Sequence, residues 1–389
     1  MRIVGIDLTR SFAICAAMLS HVWVVAEMDQ FFSGPLVDVL AVVMALATPT
    51  FILLFGTMLE IVYLPRFTAG EQGKVSARLI SRAIQCWLLY CLSIAVLYFT
   101  AENYSLKFSV ATMMLLGVTP FTDILKFYAV ALAIAPLLLW LRHRFGLLPL
   151  VIAALLVHAC YPLIRAIVSP VDAGLGTEAD RLAMFLFGIG HAKLGGPSIL
   201  HGASLVIAGM GFGAIMKRML GQSGTASRRL LWLLASVALV TTLAAPFTVT
   251  DGIRQLGDMS MRMDSHPLYF AEGMAGAVAV TTFAVLATQS LPEEKRKSIE
   301  AFAFLGRTSL FTFSFGNMIL YCVSAKPTTA ASALTLTIGL LLLIVALSYW
   351  FDRSARRDGH VKALVKSIQG AVSSTVETAM RIGTRRTQS

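Results

Sequence analysis

Apolar runs of roughly 20 residues, separated by short polar and charged stretches, recur along the chain from Ser11 to Phe351. That is the length an α-helix needs to cross a bilayer, at about 1.5 Å of rise per residue. The pattern predicts helices over 11–28, 36–62, 82–100, 121–141, 146–167, 199–216, 229–249, 267–289, 300–322 and 330–351. The expected fold is therefore all-α, a polytopic membrane protein of about ten transmembrane helices. One integral-membrane domain would occupy 1–351, followed by a basic tail, 352–389. The first run follows Arg2 and Arg10 like the apolar part of a signal peptide, but nine further spans make a signal anchor the simpler reading. Two apolar segments, 108–119 and 182–190, are too short to cross and read as re-entrant or interfacial pieces. The tail carries an apolar period in VKALVKSIQGAVSSTVETAMRIG, which suits an amphipathic helix on an anionic leaflet as well as it suits a disordered basic tail.

Composition sharpens this picture. The chain is 57% hydrophobic and only 14% charged, which excludes an ordinary soluble enzyme. Its net charge of +11 raises the question of nucleic acid, but the 32 lysines and arginines are spread over the loops between apolar runs. With the N-terminus inside, Arg66, Lys74, Arg78 and Arg82, Arg142 and Arg144, Lys217, Arg218, Arg228 and Arg229, Lys295 to Lys297 and the tail all fall on the inner face. This is positive-inside topology, with both termini cytoplasmic, a lipid bilayer as the partner and no nucleic acid. Cys15, Cys86, Cys91, Cys160 and Cys322 are odd in number and lack paired ligand spacing, so no metal site is expected.

Ionisable groups at bilayer depth are costly and face the interior of a bundle, which makes the few present here the first candidates for chemistry. The first helix holds Asp7, Arg10 and His21. Arg10 and His21 lie eleven residues apart, about 16 Å of helix rise, and return to nearly the same face. Arg10 then sits at the inner boundary and His21 in the outer half, where an imidazole can serve as general base or as a structural hydrogen-bonding group. Asp7 is placed to pair with Arg10. Glu60, Arg66, Arg78 and Arg82 gather near the inner face, and two arginines one turn apart present two guanidinium forks suited to phosphate, or simply anchor the helix. Asp123 and Lys126 open the fourth span and Glu272 the eighth on the outer side, placed to meet a polar acceptor or to pair with neighbours. Arg307 sits at the inner end of a span in LGRTSLFTFSFGN.

The segment GIDLTRSFAICAAMLSH resembles the first helix of the integral-membrane acyltransferase 3 superfamily, in which a basic residue and a histidine are separated by ten positions. FILLFGTMLEIVYLPRFTAGEQGKVSARLISRAIQCWLLY, PFTDILKFYAVALAIAPLLLWL, HGASLVIAGMGFG and LGRTSLFTFSFGN are similar to successive segments of its branch of glucan succinyltransferases of the OpgC type, and the resemblance covers most of 5–320. Ser20 precedes His21 and Val22-Trp23 follow it, where that branch commonly has an Asp and an Ile-Pro-like turn, and Thr308 stands where His is frequent. These departures bear on the donor and acceptor, not on the reaction class.

The resemblance implies a multi-pass protein of the bacterial inner membrane that moves an acyl group, succinyl first and acetyl next, from cytoplasmic acyl-CoA to a hydroxyl of a periplasmic or exported glucan. Acyl-CoA would be a cosubstrate and no bound cofactor is expected. His21 and Arg10 would be catalytic, with Arg78, Arg82 and Arg307 binding the donor and Asp7, Asp123, Glu272 and Ser309 supporting the acceptor side; Arg307 or Ser309 would also serve the oxyanion. Direct attack through His21 is preferred to an acyl-enzyme, because no Ser-His-Asp or Cys-His set is visible. A transporter or flippase for an anionic or acylated solute is the rival, although the repeat symmetry usual there is not visible. The oligomeric state stays open.

Overall fold

The computed structural model describes residues 3–166, 177–188, 197–220, 260–263, 265–289 and 291–357, with isolated positions in 229–237 and 362–378. No strand occurs among these residues. The helices are α1 (Val4–Val25), α2 (Pro35–Ala45), α3 (Ala47–Met58), α4 (Leu64–Thr68), α5 (Gln72–Thr100), α6 (Leu106–Met113), α7 (Asp123–Phe145), α8 (Leu148–Ala159), α9 (Tyr161–Ala166), α10 (Glu178–Phe187), α11 (Ile199–Leu220), α12 (Ser260–Met263), α13 (Pro267–Gln289), α14 (Glu293–Phe302), α15 (Phe304–Arg307), α16 (Ser309–Tyr321) and α17 (Ala330–Arg356). Seven of the described helices are long and apolar enough to cross a membrane: α1, the composite run Pro35–Thr68, α5, α7, Ile199–Arg218 within α11, α13 and α17.

Several expected spans are broken, each for a visible reason. The 146–167 run divides into α8 and α9 around Cys160, just before Pro162, which cannot continue a helix from its own interior but fits the first turn of a new one. The 300–322 run breaks at Ala303 and Thr308 because Gly306 is pressed against α1. A Cβ on Gly306 would stand 2.1 Å from the Asp7 carbonyl oxygen, and the Gly306 N–H donates to Ser11 Oγ at 2.8 Å. The expected 229–249 span lies outside the described residues but for isolated positions in 229–237. Neither α6 nor α10, which cover 108–113 of the first segment and 182–187 of the second, is long enough to cross.

Pro35–Thr68 is interrupted at Leu46, ahead of Pro49, and again by a π-helical turn at Leu59–Tyr63, where Pro65 removes a donor from the ladder that follows. That wide turn carries Glu60, whose carboxylate accepts both a 3.0 Å and a 2.7 Å bond from Arg142 of α7. α3 packs on α11 through small residues: a Cβ on Gly56 would meet Val206 O at 1.9 Å, one on Gly209 would meet Leu53 O at 2.1 Å, and Thr57 Oγ1 donates to Gly209 O at 3.1 Å. α5 begins at Gln72, ten residues before the expected start, so Arg78 and Arg82 lie well inside a 29-residue helix. α17 likewise runs on to Arg356, which brings Asp352 beside Arg307.

Candidate active site

His21 lies near the end of α1, within reach of α7 and α16. Its Nδ1 is 2.7 Å from Asn317 Oδ1. Asn317 is fully buried and its Nδ2 donates to Phe313 O at 2.8 Å, one turn back on α16, which fixes the amide so that Oδ1 faces the imidazole. A carbonyl oxygen only accepts, so Nδ1 carries the hydrogen in the neutral ring and Nε2 presents its lone pair. The ring is held on both sides. Phe121 stacks on it with centroids 4.7 Å apart, and Phe313 meets it edge-on at 5.7 Å. Phe121 is itself stacked on Tyr321 at 5.6 Å, and its N–H donates to Tyr321 Oη at 3.2 Å.

This histidine opens onto a pocket of about 50 Å³, lined among others by Ser20, Phe121, Asp123, Arg262 and Phe313. That is room for a few water-sized groups, and not for a whole sugar. The Asp123 carboxylate is half committed. Its Oδ1 accepts from the Thr119 N–H and hydroxyl at 3.0 and 2.9 Å and from Tyr90 Oη at 3.5 Å, while Oδ2 is buried with no partner. Lys126 lies 3.8 Å from Oδ1, donates to Gly117 O at 2.8 Å and sits over the Phe185 ring. Asp123 thus serves the loop that carries Phe121 and also leaves one oxygen for the pocket.

A second cavity of about 400 Å³ lies toward the other end of α1. Arg10, Arg78, Arg82, Arg307 and Ser309 all line it, so five of the nine residues singled out from the sequence meet there. Arg78 and Arg82 are exposed, with no ion pair among the described residues. Arg10 contacts Asp7 at 3.4 Å, the pairing expected of an i, i+3 neighbour. Arg307 is tied down: Nε and Nη2 donate to Asp352 at 3.3 and 3.0 Å and Nη1 to Glu300 O at 2.7 Å, which joins α15 to α17. Phe51, Ile124 and Phe313 line both cavities and form the partition between them.

Asp7 and Glu272 line neither cavity. Glu272 Oε2 is buried without a hydrogen-bond partner, and nothing in the described structure brings it to His21. Asn317, which holds the His21 ring, and Arg262, which lines its pocket, escaped the sequence reading. Asn317 carried a signal, an amide in the apolar run that begins with Arg307; Arg262 carried none, since a lone arginine in a connecting segment is indistinguishable from a solvated one. Among the described residues no three His, Cys, Asp or Glu side chains gather to hold a metal ion. No family model matches the chain, and no curated protein matches it.

Proposed function

We propose that this chain is a membrane-bound O-acyltransferase that takes an acyl group from acyl-CoA at its arginine-lined cavity and passes it to a carbohydrate hydroxyl at the His21 pocket. The observation that carries the reading is the hold on His21: with Nδ1 bound to the oriented Asn317 amide, the neutral ring of this pocket-lining imidazole keeps Nε2 free as a general base. Coenzyme A bears several phosphate charges, and Arg78 and Arg82, without an ion pair among the described residues, offer it two guanidinium forks beside Arg10. Its long pantetheine arm suits the distance from Arg10 to His21, about 16 Å of helix rise, with the thioester passing between Phe51, Ile124 and Phe313. The arginine-rich end faces the cytoplasm of a bacterial inner membrane by the positive-inside rule, and the acceptor is a periplasmic or exported glucan reached from the other side. Succinyl is the first donor group to try and acetyl the second.

Two cavities separated by three side chains also suit a transporter for an anionic or acylated solute, which is the second reading. One experiment separates them. The purified chain, reconstituted in lipid nanodiscs with succinyl- or acetyl-CoA and a glucan, releases free CoA thiol and adds one acyl mass to the glucan, and His21→Ala abolishes both while retaining the wild-type unfolding midpoint. Full activity in His21→Ala removes the site; no thiol release by the wild type, with solute movement across vesicles, establishes the transporter instead.

A further inference from the structure

The proposed reaction places a negative charge on the thioester carbonyl oxygen, and a group must receive it. This inference rests on that reaction. Arg307 and Ser309 line the larger cavity, on the far side of Phe51, Ile124 and Phe313 from the His21 pocket, and Arg307 is bound to Asp352 and Glu300 O. We infer that Arg262 is the oxyanion donor: it lines the same pocket as His21, and its Nε is buried there with no hydrogen-bond partner.

The carboxylate of that pocket, Asp123, has Lys126 as its ion partner, and no ion pair of Arg262 occurs among the described residues. A buried donor without an acceptor is destabilising, a cost that makes sense where an acceptor arrives only during reaction. The backbone holds the residue in place. Arg262 lies within the short helix α12, which is closed by Ser265 N–H to Arg262 O at 3.2 Å and His266 N–H to Met261 O at 2.9 Å, with Ser265 in the left-handed region at φ 51°. A donor fixed beforehand needs no reorganisation as charge develops.

The steps balance without a further reactant. The acceptor hydroxyl oxygen attacks the thioester carbon as its proton passes to His21 Nε2; the carbonyl π pair moves onto oxygen and is met by the Arg262 guanidinium. Collapse of that pair breaks the C–S bond, and the departing thiolate takes the proton from the imidazolium, giving an ester and free CoA thiol.

The test uses the full chain in nanodiscs with acetyl-, butyryl- and succinyl-CoA, comparing wild type, Arg262→Gln, Arg262→Lys and His21→Ala. The expected result is a fall in kcat of about 10²–10³-fold in Arg262→Gln for all three donors, less in Arg262→Lys, with both KM values and the unfolding midpoint within threefold and 3 °C of wild type. Binding of a non-reactive CoA thioether is expected to stay unchanged. An unchanged kcat, a change confined to the KM for succinyl-CoA, which would make Arg262 the receptor of the acyl carboxylate, a change confined to the acceptor KM, or loss of fold in both variants overturns the inference. Loss of activity in His21→Ala with none in Arg262→Gln removes Arg262 alone; a wild type that consumes no donor removes the reaction and this inference with it.

Discussion

Asn317→Leu separates the chemistry of the His21 site from its packing. Leucine shares the branching and side-chain heavy-atom count of asparagine, so the shape of the side chain is kept while the acceptor for His21 Nδ1–H disappears. The 2.7 Å bond is part-buried, against a fully buried Asn317, and leaving a buried donor without a partner costs about 1–3 kcal/mol. The imidazole escapes that cost by shifting its hydrogen to Nε2 or rotating away from Asn317's former position, and either change withdraws the lone pair from the pocket. If the whole cost is expressed as loss of the productive tautomer, kcat falls about 5- to 150-fold at 1.36 kcal/mol per factor of ten, while donor and acceptor KM values hold. Asn317→Asp keeps an acceptor at the same place and should lose less. Steady-state thiol release gives the rates, and ¹⁵N shifts of labelled histidine report which ring nitrogen carries hydrogen. A kcat for Asn317→Leu within twofold of wild type, or a His21 ring still protonated on Nδ1, refutes the assignment of Asn317 as the positioning residue.

Arg78→Ala and Arg82→Ala should each raise the KM for acyl-CoA about tenfold, the loss of one charge-assisted hydrogen bond, with less effect on the acceptor KM and a weaker dependence on salt; unchanged donor dependence removes them from the donor site. Gly306→Ala should lower stability by about 1–3 kcal/mol, because its Cβ would meet the Asp7 carbonyl oxygen at 2.1 Å and backbone there has no side chain to rotate aside; an unaltered unfolding midpoint refutes the close packing of α15 on α1. Glu60→Ala leaves the half-buried Arg142 without its bidentate partner and should destabilise the chain toward the lower end of the about 3–5 kcal/mol seen for broken buried pairs, read from the same midpoint.

Length and apolarity made the long helices legible in the sequence, and periodicity alone put Arg10 and His21 on one face of α1. What periodicity does not carry is where a helix must yield to a neighbour. Gly306 and Pro162 break spans whose hydropathy is continuous, because one is pressed on α1 and the other lacks an N–H. The arginine cluster was legible because Arg78 and Arg82 lie one turn apart and, like Arg10, fall near the inner face. Arg307 shared that pattern, yet Asp352, 45 residues away, holds its guanidinium, a pairing visible only once α17 is seen to extend past the expected end of its span. Arg262 reaches the pocket through a turn in a segment with no periodicity, so only the three-dimensional arrangement reveals it.

The unequal cavities bear on what such an enzyme would select. A space of about 400 Å³ takes the bulk of a donor, and one of about 50 Å³ admits only the acyl end and the attacking hydroxyl. Discrimination is sharpest where packing is closest: one methylene in a tight apolar pocket is worth about 10- to 200-fold. On the proposed reaction the walls of the smaller pocket, Ala17, Ala47, Phe51 and Phe313, therefore set the length of the acyl group. The glycan, too large for that space, is read by surfaces outside it. Substitutions at Ala17 or Ala47 would alter donor choice with the acceptor unchanged, and the two specificities would evolve on different parts of the chain.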